Sequence, residues 1–153
     1  MTIRAVVVDD EEPARARLCA LLAELGDVEV VGTAGDVEAA LALVADTEPH
    51  VVFLDIQMPG RSGLELTAAL PPPRPRVIFC TAFDEYALNA FEQDAVDYLL
   101  KPLNRVRLAR AVERVRRSVA ERETQQHELA VASRAQARLL PQTLPGGSLS
   151  LAG

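Results

Sequence analysis

The chain has 153 residues, of which 49% are hydrophobic and 25% charged, and its formal net charge is −6. That content supports one packed domain and an appendage. No apolar run approaches the length of a membrane span, and Met1-Thr2-Ile3-Arg4 lacks the apolar region of a signal peptide, so a cytoplasmic location is expected. Cys19 and Cys80 have neither the number nor the spacing of a disulfide framework or zinc site and read as buried, reduced thiols. The charge is uneven: residues 1–103 carry 18 Asp/Glu against 7 Lys/Arg, a net −11, and residues 104–153 carry 4 Glu against 9 Arg, a net +5. The arginines flank Val106, Val112 and Val115 at helical spacing, which favours the solvated face of an amphipathic helix over a nucleic-acid surface.

In chain order, residues 3–8 form a Val-rich run that predicts a buried strand and ends at Asp9-Asp10. Pro13 suits the first turn of a helix with Leu18, Leu21, Leu22 and Leu25 inward, stopped by Gly26-Asp27. A short strand at 28–33 follows, and Asp36 caps a helix carrying Val37, Ala40, Leu41 and Val44 before Pro49. A third strand at 51–54 delivers Asp55, and Pro59-Gly60 and Gly63 turn the chain into a short helix at 64–70. The run Pro71-Pro72-Pro73-Arg74-Pro75 reads as an extended connector, and a strand at 77–80 delivers Thr81. A helix at 85–92, a strand at 96–100 ending at Lys101-Pro102, and a last helix from near Asn104 complete five strand–helix units.

Such alternation predicts an α/β fold: a doubly wound five-stranded parallel sheet of order 2-1-3-4-5, with helices on both faces. Ligand chemistry in such sheets collects outside the carboxyl ends of the strands, where Asp9, Asp10, Asp55, Thr81 and Lys101 all fall. Three converging carboxylates repel, and burial raises the cost of ionisation, so a divalent cation is expected among them. All-oxygen ligation points to a hard ion, Mg²⁺. A carboxylate beside it can act as a nucleophile and form an aspartyl phosphate, with the Lys101 ammonium and Thr81 hydroxyl as partners for the developing phosphoryl charge. Asp55 is the nucleophile candidate because it stands alone on the central strand, whereas the adjacent Asp9 and Asp10 suit metal and its water shell.

The segments Val7-Val8-Asp9-Asp10-Glu11, Leu54-Asp55-Ile56-Gln57-Met58-Pro59-Gly60, Thr81-Ala82 and Tyr98-Leu99-Leu100-Lys101-Pro102 together resemble the receiver domain of bacterial two-component response regulators, a flavodoxin-like fold, over residues 1–118. The resemblance implies that Asp55 is the phosphoacceptor, that Asp10, Asp55 and the Gln57 carbonyl bind Mg²⁺ directly with Asp9 acting largely through water, and that Lys101-Pro102 is cis. It also implies that Thr81 and Tyr98 form a switch pair and that a histidine kinase or phosphotransfer protein is the phosphodonor. Gln57 and Phe83, two residues beyond Asp55 and Thr81, flank the expected path of attacking water.

For the output, the stretch from Thr81 to Pro102 resembles receivers joined to LytTR DNA-binding domains. The tail, with Glu128-Leu129-Ala130-Val131-Ala132, Leu139-Leu140-Pro141 and Leu144-Pro145, resembles instead the entry to a PP2C-type serine phosphatase (SpoIIE/RsbU-like), whose first strand would begin at residues 148–153. That reading leads, with a LytTR-type transcriptional regulator as the alternative. Residues 119–153 are thus expected to be a linker helix and the start of an effector domain, broken at Leu139-Leu140-Pro141. Val106, Val112 and Val115 are expected to pack inward, while exposed Val119, Leu129, Ala132 and Leu139 are expected to pair with a second copy of the chain in a homodimer. Rival classes fit less well. A haloacid-dehalogenase enzyme needs a carboxylate where Gln57 stands, a nucleotide-binding module needs a glycine-rich loop where Asp9-Asp10-Glu11-Glu12 stands, and no recognition helix for direct DNA contact is visible.

Overall fold

A computed structural model of the chain describes residues 2–82 and 95–143, the side chains of 126, 130 and 133–143 excepted. The expected helix at 85–92, Phe83, the turn at 144–147 and the strand start at 148–153 lie outside the described residues. Five strands, β1 (Ile3–Val8), β2 (Val28–Ala34), β3 (Val51–Leu54), β4 (Arg76–Thr81) and β5 (Asp97–Leu100), form one parallel sheet in the order β2-β1-β3-β4-β5. The helices are α1 (Glu12–Leu25), α2 (Val37–Thr47), α3 (Gly63–Ala69) and α4 (Arg105–Thr143). By compactness the chain divides into Met1–Arg116, which holds the sheet, and Arg117–Gly153.

Position in the sheet sets how much of each strand is buried. The interior strands β1, β3 and β4 are buried at nearly every residue, whereas the edge strand β2 is mostly half-exposed. On one face, Val6, Val8, Val52, Leu54 and Phe79 pack with Ala40 and Val44 of α2 and Leu66 of α3. The alternate residues Ala5, Val7, Phe53 and Ile78 are equally buried, as a sheet covered on both faces requires.

Local chemistry sets the helix ends. Pro13 stands in the first turn of α1, and Gly26 (φ +69°) and Asp27 (φ +57°) stop it in the left-handed region. The Asp36 carboxylate accepts from the Ala39 amide at 2.8 Å to cap α2, which ends at Glu48 (φ +44°). Ser62 caps α3 by accepting from the Glu65 amide at 3.3 Å. Asn104 caps α4 by accepting from the Arg107 amide at 3.1 Å.

The C-terminal helix departs from the expected pattern in three respects. Within the sheet-bearing unit its inward face is Leu108, Ala111, Val112 and Val115, whereas Val106 is 64% exposed. At 3.6 residues per turn, Val106 lies about 120° around the helix from Val112, while Leu108 lies within about 40°. Val119, expected to be exposed, is buried, while Leu129 and Ala132 are exposed as expected. The helix also runs through Leu139, Leu140 and Pro141 to Thr143 rather than breaking there. Pro141 sits in its last turn, where the missing amide removes one bond from an end already short of partners.

The arginines of this helix are not all solvated. Asp97, 5% exposed at the start of β5, accepts from Arg107 through two bonds at 2.6 and 2.8 Å and pairs with Arg114 at 3.2 Å. Burial works against the Asp97 carboxylate, but the hydrogen bonds of Arg107 and the Tyr98 amide and the charges of both arginines outweigh it and hold the group below its ordinary pKa of 3.8. A depressed carboxylate pKa contributes stability that is present above the unfolded value and lost as pH falls through the folded one. Asp97→Ala should therefore lower stability by about 1.5–3 kcal/mol at neutral pH, a reduced figure because both arginines can reach water once released. In denaturant titrations the gap between wild type and variant should close as the pH falls below 3.8. A gap that stays constant into acid would mean that charge plays no part in the anchor.

Candidate functional site

The strand order brings together what the sequence separates. Asp9 follows β1 and Asp55 follows the adjacent β3, and carboxylate oxygens of Asp9, Asp10 and Asp55 all lie within 4.8 Å of one another. Lys101 follows β5. Its Nζ reaches back over the end of β4 and donates to Asp9 Oδ2 at 2.6 Å and Asp55 Oδ2 at 3.1 Å. Its amide donates to the Thr81 carbonyl at 2.8 Å, and the Lys101–Pro102 peptide is cis.

Backbone donors fix the remaining oxygens: the Glu11 amide donates to Asp9 Oδ1 at 2.9 Å and the Gln57 amide to Asp55 Oδ1 at 3.2 Å. The loop after Asp55 is pulled close by Gly63, whose amide donates to the Ile56 carbonyl at 2.8 Å. A Cβ at Gly63 would stand 2.3 Å from the Asp55 carbonyl oxygen, so this approach admits only glycine.

Asp9 and Asp55 are buried, while Asp10 is exposed. Burial pushes the Asp55 carboxyl above its ordinary pKa; Lys101 offsets part of this by hydrogen bond and charge, and the Asp9 carboxylate adds to it. For Lys101, burial disfavours the ammonium, but its bonds to Asp9 and Asp55 outweigh that and raise its pKa. Two like charges at this spacing repel by about 3–4 kcal/mol at an effective dielectric of about 20. Three carboxylates and one ammonium leave a formal charge of −2, which one divalent cation balances. The donor set is all oxygen, as Mg²⁺ requires, and Asp10 faces solvent where a hydrated ion arrives.

Thr81 is fully buried at the end of β4. Tyr98 is half-buried on β5, paired in register with Phe79 at a ring separation of 6.4 Å. Gln57 is exposed in the loop beyond Asp55. Cys80 is buried within β4, directly before Thr81, and burial pushes its thiol pKa up, which leaves it inert. Sequence reasoning missed one group at the site: Arg15, on the first turn of α1, donates from Nη1 to the Asp9 carbonyl at 2.6 Å. Its only sequence signal was a position four residues after Glu11, at the start of a helix whose side chains lean toward its N-terminus.

An acidic triad with a lysine, at the carboxyl ends of a 2-1-3-4-5 parallel sheet, defines a signal-receiver architecture, and residues 5–113 match the family described as response regulator receiver domain. The chain belongs to that family, whose members are phosphoacceptor switches that bind Mg²⁺ at an acidic pocket and work with histidine kinases or phosphotransfer proteins. It is 50% identical over 116 residues to an uncharacterized response regulatory protein of Vibrio cholerae, covering 75% of this chain and 49% of that protein. It is 47% identical over 115 residues to the transcriptional regulatory protein BtsR of Escherichia coli K12, covering 74% and 48%. The chain thus spans about half the length of the curated relatives it matches. Among solved structures, the REC domain of AraT, a response regulator from Geobacillus stearothermophilus, superposes with a TM-score of 0.71 at 32% identity, over 80% of this chain and 99% of that one. A DNA-binding response regulator of the LuxR family from Staphylococcus aureus gives 0.67 at 28% identity, over 74% and 98%. Among the described residues, no helix is long and apolar enough to cross a membrane.

Removal of Asp10, the exposed member of the triad, should weaken Mg²⁺ binding at least tenfold in Asp10→Ala, read by calorimetric titration. Lys101→Ala removes a competing cation from the same oxygens, so its Mg²⁺ affinity should equal or exceed that of wild type. An unchanged affinity in Asp10→Ala, or a loss in Lys101→Ala, would contradict this assignment.

Proposed function

We propose that Asp55 accepts a phosphoryl group from a histidine kinase or phosphotransfer protein, with Asp10, Asp55 and the Gln57 carbonyl as Mg²⁺ ligands and Asp9 acting largely through water. The observation that carries this reading is the Asp55 carboxylate itself: buried, yet held by the Lys101 ammonium and the Gln57 amide within an acidic triad. An Asp55 carboxylate oxygen forms the new bond to phosphorus, and the donor's leaving group departs with the electron pair of the bond that breaks. Lys101, released from part of its pairing with Asp55, meets the charge of the arriving phosphoryl oxygens. Held by Asp10, Asp55 and the Gln57 carbonyl, Mg²⁺ would supply further charge neutralisation at those oxygens.

The Thr81 hydroxyl then serves as the third contact. Its movement toward the phosphoryl group opens space for the ring of Tyr98, which makes this pair the switch. Gln57, exposed in the loop beyond Asp55, lies beside the path of attacking water and so governs how long the acyl phosphate lasts; Phe83, expected to share that role, lies outside the described residues. For the output, transcriptional control is the better-supported reading. It rests on BtsR-like relatives, on a LuxR-family structural neighbour and on the LytTR-like sequence from Thr81 to Pro102. The PP2C-type phosphatase output rests on the tail sequence alone.

Incubation with acetyl phosphate and Mg²⁺ should add one phosphoryl group, seen by intact mass. Asp55→Asn should lose the adduct and Asp27→Asn keep it; an adduct that persists in Asp55→Asn would assign the nucleophile to another residue.

A homodimer through the C-terminal helix belongs to the same proposal. With Val119 buried, its apolar contacts among the described side chains are Leu129, Val131 and Ala132, all exposed, while the side chain of Leu139, the remaining expected contact, lies outside the described residues. Sedimentation of the full chain should show a dimer, strengthened by phosphodonor, and a 1–118 truncation should be monomeric. Monomers in every condition would leave the tail a passive linker.

A further inference from the structure

The Asp9 residue is held at every polar atom. Its amide donates to the Ala34 carbonyl at 3.1 Å, its carboxylate oxygens accept from Glu11 and Lys101, and its carbonyl accepts from Arg15 Nη1 at 2.6 Å. By contrast, Asp10 is exposed, and its direction depends on the backbone that carries it. The Asp9 carbonyl and the Asp10 amide belong to one planar peptide unit, so a donor that fixes the carbonyl also fixes the plane from which Asp10 departs. Arg15 is well placed to do this. It is half-buried, and its own amide donates to the Glu11 carbonyl at 3.1 Å, which ties the first turn of α1 to the acidic loop.

A second position makes room for the guanidinium. Gly35, at the end of β2, has no side chain where a Cβ would stand 3.2 Å from Arg15 Nη1 and 3.9 Å from the Asp9 carbonyl oxygen. The 3.2 Å approach is tighter than ordinary van der Waals contact, so the guanidinium must shift to admit a larger residue there while keeping its charge.

We infer that Arg15 is a positioning residue for the metal site: by clamping the Asp9–Asp10 peptide, with Gly35 providing the space, it aims the Asp10 carboxylate at the cation. The inference rests on the reading of the triad as a Mg²⁺ site. Its sign separates it from a simple charge effect. A guanidinium near an acidic pocket repels a cation, so if Arg15 acted only through charge, its removal would tighten Mg²⁺ binding. If it acts by aiming Asp10, removal weakens binding, and groups that orient metal ligands commonly account for about tenfold or more in affinity.

The test is Mg²⁺ titration of the full chain, followed by calorimetry and by amide shifts in ¹H–¹⁵N spectra, for wild type, Arg15→Met, Arg15→Lys and Gly35→Val, each with its thermal midpoint. About tenfold weaker binding is expected in Arg15→Met. Gly35→Val should weaken binding in the same direction, and Arg15→Lys, which keeps a donor, should recover part of it. Affinity that is unchanged or tighter in Arg15→Met overturns the inference, as does affinity unchanged in Gly35→Val. If Arg15→Met fails to fold, Gly35→Val decides alone. Wild-type protein with no saturable Mg²⁺ binding removes the metal reading and the inference with it; normal wild-type binding with unaffected variants removes only the inference.

Discussion

The ammonium of Lys101 is the interaction on which the site depends. Without it, Asp9 and Asp55 would face each other as two buried carboxylates whose repulsion opposes the packing of β1 against β3. With Nζ at 2.6 and 3.1 Å from the two carboxylates, the repulsion becomes a shared hydrogen-bonded pair and the sheet closes normally beneath it. The arrangement is nonetheless incomplete in charge, since three carboxylates outnumber one lysine. That residual negative charge suits the site to a divalent cation, and in the proposed reaction the cation and Lys101 together would meet the charge of the phosphoryl oxygens.

Backbone geometry supplies the precision. β5 lies two places from β3 in the sheet, roughly 9–10 Å away at ordinary strand spacing, a distance the long lysine stem spans. The amide bond from Lys101 to the Thr81 carbonyl fixes where that stem begins. On the other side, the close approach of Gly63 to Asp55 keeps the loop carrying Gln57 against the end of β3. Each functional side chain is therefore anchored through a neighbouring main-chain contact, so substitutions at Gly63 or Gly35 act on chemistry that they do not touch.

Much of this was legible in the sequence. Interior strands of a parallel sheet must be apolar on both faces, so the runs ending at Asp9, Asp55 and Thr81 announced themselves, and Asp36, Gly26 and Pro49 marked helix boundaries through their local chemistry. The acidic triad followed from strand order, because adjacent parallel strands end side by side. What the sequence concealed depends on tertiary context. The inward face of the C-terminal helix was misphased because Val106 is apolar and still points to solvent, while Ala111 is small and lies inside. Arg107 looked like one more solvated arginine; its role as the partner of Asp97 requires β5 and the helix to be adjacent. Arg15 likewise became readable only once its guanidinium was seen on the Asp9 carbonyl.

In the proposed reaction this electrostatic frame makes Asp55, and neither of its carboxylate neighbours, the phosphoacceptor. Borohydride reduction tests it at the level of the single residue, because an aspartyl phosphate is reduced to homoserine while a free carboxylate is not. After treatment with phosphodonor and Mg²⁺, peptide sequencing by mass spectrometry should find homoserine at position 55. Homoserine at position 9 or 10, or at no aspartate in the chain, would contradict the account.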